Sequence, residues 1–246
     1  LEEAMVDTVG YNRGEWAVAA LHRGALAYQS FARFLQAAPI PERLSAAEVE
    51  QYRGLVGEQV AGLQARADEY FDTCVSKARE LDVYTGAVLG CLHRGPEETP
   101  ARVSRPGGSA TEQRHAELKE ALTKNPKNLE AIADLADYFL VAGQPAKAKL
   151  MASSGVEIDE RDARFYNKIG MAELLLGDQQ AAFFAFKRAA DLGHPYAAAN
   201  EIAVRLTFED EAGAKKLLER VDADELPAGA PDLHPAAVAS VRRIGG

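Results

Sequence analysis

Histidine, cysteine and the aromatic residues are scarce in this chain, and it has no long apolar run. The 246 residues include five His, two Cys and one Trp, and aromatics make up only 7%. The histidines (His22, His93, His115, His194, His234) are scattered, with no pair at the i, i+4 spacing of a helical metal site. The glycine-rich phosphate loops, the GxSxG nucleophile elbow and the HExxH zinc helix are all missing. The sequence therefore predicts no catalytic residue, no metal and no cofactor, and a protein that is not an enzyme. An excess of base is missing too. Lys and Arg number 28 against 37 Asp and Glu, a net charge of −9, which argues against phosphate-backbone binding and so against nucleic-acid partners. No stretch approaches the ~20 apolar residues of a membrane span. The first residue is Leu1, with neither an initiator Met nor an apolar signal region, so the chain reads as a fragment or a processed form.

What the chain has in abundance is alanine, the best helix former and small enough to let helices approach closely. With 47% hydrophobic and 26% charged residues it has an average globular composition, and the expected fold is all-α. Punctuation divides it into a helical block over 1–94, a Pro/Gly-rich linker or exposed loop over 95–108, a second block over 109–225, and a tail over 226–246. That tail carries Pro227, Gly229, Pro231 and Pro235, followed by one short helix. In the first block a helix is predicted from near Glu15 to Ala37. Ser45 and Glu48 then form a capping box, and apolar residues at steps of three and four continue from Tyr52 to Leu81, the pattern of one long amphipathic helix. Asp82–Thr85 makes a turn and Gly86–His93 a short returning helix.

The second block repeats itself. Ser109 and Glu112 read as another capping box, followed by helix–turn–helix units over 128–159 and 163–192. An offset of 34 residues places Gly143 on Gly177, Ala136 on Gly170 and Ala148 on Ala182. This is the period of a tetratricopeptide repeat (TPR). Tyr166, Ile169–Gly170, Ala182, Phe186 and Ala189 fill the consensus places of the 163–196 unit, while Ala152 replaces the second-helix aromatic in the preceding one. Residues 196–206 and 209–221 keep the rhythm as a degenerate or capping repeat. The expected architecture is TPR-type hairpins stacked as an α-solenoid. Its concave face would present Ala133, Asp137 and Leu140 from one unit and Arg164, Asn167, Met171 and Leu174 from the next. In that reading Arg164 and Asn167 orient a bound segment, and Met171 and Leu174 supply apolar contact.

The first block carries a resemblance over residues 20–94. Ala27, Tyr28, Phe31, Phe34, Leu35, the APIP string at 38–41, the LSAAE that follows it, the long helix with Tyr70, Cys74 and Leu81, and then Val83–Tyr84 and Cys91 resemble the periplasmic, outer-membrane TPR lipoproteins of deltaproteobacteria. That family includes a member of the adventurous gliding-motility (Glt) machinery. The resemblance implies a scaffold docking protein partners in an envelope complex, outer-membrane associated through a lipid anchor outside this chain. The alternative is a cytoplasmic TPR adaptor or chaperone-like peptide-binding module. Cys74 on the long helix and Cys91 on the returning one come to nearly the same height when the hairpin folds, within reach of a disulfide. In a reduced cytosolic protein both would instead be small buried apolar residues.

Overall fold

The computed structural model describes residues 14–222, 224–227 and 230–245. The first thirteen residues of the first block and Gly229 of the tail lie outside them. Among the described residues all regular structure is helical, and no helix is long and apolar enough to cross a membrane. The chain divides into two units, at Thr99 and Pro100.

Unit 1 contains α1 (Gly14–Gln36), α2 (Ala46–Glu80) and α3 (Gly86–Leu92). Ser45 starts α2 with the expected capping box: its N–H donates to the Glu48 carboxylate at 2.8 Å while Glu48 N–H donates to Ser45 Oγ at 3.4 Å. The Ser45 hydroxyl, which donates to the same carboxylate at 2.6 Å, and then the Ser45 N–H hold the Glu48 carboxyl below its ordinary range. Small residues line the seam where α1 lies along α2, with Ala25, Ala32, Ala67 and Ala78 buried beside Val18 and Phe71. Residues 95–98, the start of the stretch read as a linker or exposed loop, are tied back onto the helices of unit 1. His22 Nε2–H donates to the Gly95 carbonyl at 2.8 Å, and Glu98 N–H donates to the Gly86 carbonyl at 3.2 Å. Gly90 permits this closure, because a Cβ there would collide with His22 Nε2 and the Pro96 carbonyl.

Unit 2 is a stack of TPR-like helical hairpins. It contains α4 (Glu112–Lys124), α5 (Leu129–Val141), α6 (Pro145–Ile158), α7 (Ala163–Leu176), α8 (Gln179–Asp191), α9 (Ala197–Thr207), α10 (Glu211–Lys215) and α11 (Ala237–Gly245). The starts of α5, α7 and α9 are each 34 residues apart. Asn128, Asp162 and Asp178 cap α5, α7 and α8 by accepting from backbone N–H groups. Gly143 and Gly177 turn the chain between paired helices at φ +70° and +92°, a region that favours glycine.

Three local expectations are corrected. Thr111, not Ser109, caps α4, its hydroxyl accepting from Arg114 N–H at 3.2 Å. The helix expected over 209–221 is only the five residues of α10 and a 3-10 turn at Leu218–Arg220, because Ala214 is the one buried residue holding α10 to the core. The 226–246 stretch is not a loose tail. Leu233, Ala237 and Val241 are buried with Ala199, Ile202, Ala203, Leu206 and Ala214 in one apolar cluster.

Ala152, the small residue where an aromatic is usual, is compensated from the next helix. Phe165 on α7 is fully buried against Ile132, Ala133, Ala136 and Ala152. It lies so close to Gly155 that a Cβ there would collide with its ring. In the following unit Gly170 and Phe186 meet in the same way, with the aromatic on the second helix.

Candidate functional site: the concave face of unit 2

The face formed by α5, α7 and α9 is built from polar residues near the helix starts, and most of them are engaged within the chain. Arg164 Nη1 donates to Glu130 at 2.7 Å, linking equivalent positions of successive hairpins, and Arg164 Nη2 donates to Asp162 at 2.7 Å. The hydrogen bond from Arg164 holds the Asp162 carboxyl below its ordinary range, and that same bond, with Glu130, raises the guanidinium further. Lys168, itself buried, donates to Asp137 Oδ1 at 2.6 Å. Burial outweighs the Lys168 charge and pushes the Asp137 carboxyl up.

Asn167 and Asn200, both 0% exposed, hold a turn from the far end of the unit. Asn167 Nδ2 donates to the Asp232 carbonyl at 2.6 Å. Asn200 Nδ2 donates to that carbonyl at 2.9 Å and to Asn167 Oδ1 at 2.8 Å, while Asn200 Oδ1 accepts from His234 N–H at 2.7 Å. The turn is closed by Leu233 N–H donating to the Ala230 carbonyl at 3.2 Å. His194 Nε2 lies 3.8 Å from Asp232 Oδ2. Burial lowers the imidazoles of both His194 and His234 to about 4.

Of the seven expected groove residues, Arg164, Asn167 and Asp137 therefore lie on this face, each with partners inside the unit. Ala133, Leu140, Met171 and Leu174 are buried. Close hairpin packing draws these positions inward, so the apolar contact expected of Met171 and Leu174 is corrected. Asn200, Lys168, His194, Asp232 and His234 are the site residues that periodicity did not single out. A signal for two of them exists: His194–Pro195 and His234–Pro235 both precede an Ala-rich helix start.

One part of the face stays open. Beside Pro231 a cleft of about 230 Å³ is lined by Gly108, Ser109, Arg114, Asp134, Asp137, Tyr138 and Val141. Arg114 pairs with Asp134, and Tyr138 stacks on His115 with ring centroids 4.9 Å apart. In unit 1, Cys74 and Cys91 are joined by a disulfide with Cα atoms 6.2 Å apart.

No protein-family model and no curated protein sequence matches the chain. Among solved structures it is similar to the TPR2AB-domain:pHSP90 complex of yeast Sti1, at 14% identity and a TM-score of 0.38, over 99% of this chain and 87% of that one.

Proposed function

We propose that the chain is a non-catalytic scaffold that binds protein partners through the concave face of unit 2. The observation that carries this reading is the two-asparagine grip on Asp232 and His234. It recognises only a backbone carbonyl and a backbone N–H, so it suits a polypeptide of any sequence. The partner's chain reaches this face at the open cleft, whose lining presents the Arg114–Asp134 pair and the Tyr138 ring. The experiment is photo-cross-linking with p-benzoylphenylalanine at Tyr138 in the cleft or at Leu150, which is 69% exposed on α6. Protein adducts from position 138 that exceed those from position 150 support the reading. The reverse order places the binding surface on the second helices instead.

The proposed setting is a bacterial envelope complex, periplasmic and associated with the outer membrane. The resemblance of residues 20–94 supports it and extends it to the gliding-motility machinery. The Cys74–Cys91 bond supports an oxidising compartment. Peptide mapping of exported protein without reductant tests this: free thiols at both positions favour the cytoplasmic adaptor.

A further inference from the structure

Residues Pro231–Gly245 close the concave face from within the chain, and two histidines hold them there. His234 Nδ1 accepts from Ala236 N–H at 3.0 Å and so caps the start of α11. His194 Nδ1 accepts from Tyr196 N–H at 3.2 Å at the start of α9 and turns its other nitrogen toward Asp232. A protonated Nδ1 carries a hydrogen and cannot accept, so both contacts require the neutral ring.

We propose that Pro231–Gly245 is a latch, closed over Asn167 and Asn200 while His194 and His234 are neutral and released from them in acid. The two histidines sit in different surroundings. His194 faces the Asp232 carboxylate and, on α7, Asp162, Lys168 and Arg164. The acids favour its protonated form and the bases oppose it. His234 faces Asn200 on α9, and only burial acts on its titration. Burial lowers both rings to about the same value, so the two triggers are of similar size.

The latch is built to leave without the rest of the unit. Within Pro231–Gly245 only Leu233, His234, Ala237 and Val241 are buried, whereas α9 is buried at every position from Ala197 to Leu206. Elements with few buried contacts open locally at a lower cost than global unfolding. Opening frees the amides of Asn167 and Asn200, and the cleft beside Pro231 then continues into the space that the turn had filled.

The role of this release in partner access rests on the proposed binding face, whereas its test does not. Ala239, exposed on α11, is changed to Cys and spin-labelled in the full chain, leaving the Cys74–Cys91 bond intact. The mobile-to-immobile ratio of the label is expected to rise about a hundredfold through the His234 ring as pH falls from neutral to near the His234 midpoint, while far-UV ellipticity is retained. His234→Asn keeps an acceptor that does not titrate, and its transition is expected to move to lower pH. His194→Asn is expected to move it by a similar amount. A label that stays immobile, a transition unchanged in His234→Asn, or loss of the label's order only together with the whole helical signal overturns the latch. If the label behaves as expected and cross-links from Tyr138 do not increase in acid, the latch stands and the binding-face reading falls.

Discussion

Asn167 and Asn200 share a single acceptor: both side-chain amides donate to the Asp232 carbonyl, at 2.6 and 2.9 Å. The two residues belong to successive hairpins, so a carbonyl from a third element fastens one repeat to the next. Asn200 is the more heavily used, because it also donates to Asn167 Oδ1 and accepts from His234 N–H. Asn200→Ala leaves Asn167 Oδ1 and the His234 N–H without their buried partner. It is expected to cost about 3 kcal/mol, against about 2 kcal/mol for Asn167→Ala. Urea midpoints check the order, and equal midpoints would show that the turn is not held through Asn200.

Stability should fall on mild acidification. The folded chain keeps His194 and His234 neutral down to about pH 4, whereas the unfolded imidazoles take up protons near 6.5. Between those values the unfolded state binds more protons, so stability declines as pH drops through 6.5 toward 4. The slope is up to about 1.4 kcal/mol per pH unit for each ring. Asp137 acts oppositely. Its raised carboxyl keeps a proton in the fold that the unfolded chain has released just above 3.8, which favours the fold toward the acid end. Asp162, with its carboxyl lowered, contributes stability that is lost as pH falls below 3.8 through its folded value. The double variant His194→Asn with His234→Asn should show a flatter dependence of the urea midpoint above pH 5. An unchanged slope would remove the histidines from the account.

A methyl group at Gly155 has no room beside the Phe165 ring. Gly155→Ala is expected to cost about 2 kcal/mol by overpacking, and Phe165→Leu should recover part of it. The double-mutant cycle measures this coupling. Additive losses would mean that the two sites relax independently.

Removing the bond between Cys74 and Cys91 frees a closed loop of 17 residues. By the chain-entropy estimate for a loop of that size, Cys74→Ala with Cys91→Ala should cost about 3 kcal/mol. Chemical denaturation with and without reductant provides the comparison, and identical midpoints would show that the bond contributes nothing to stability.

The helices were legible in the sequence because their signals are local. The Ser45–Glu48 box, the turn glycines Gly143 and Gly177, and the apolar steps of α2 each depend on residues within a few positions of one another. The register of unit 2 was legible because a 34-residue offset repeats both the small residues and the turns. The occupied concave face was not. Asn167 gave no sign that its partner lay 65 residues away, nor did Ala152 show that a phenylalanine from the next helix would replace its missing ring. Composition alone did not show how two loop segments are held. Proline and glycine mark where helices stop, but they do not show how the segment between helices is held: Gly95 and Glu98 are tied back by hydrogen bonds, and Leu233 and His234 are buried.

The covalent link between α2 and α3 has a mechanical consequence for a scaffold placed under load. Tension applied through the chain on either side of the pair passes from Cys74 directly to Cys91 through the sulfur bridge. The last turns of α2, the turn at Asp82 and the first turns of α3 then carry no force. About 55 Å of contour is kept out of any extension while the bridge is intact, so oxidation sets how far this part of the molecule can be stretched.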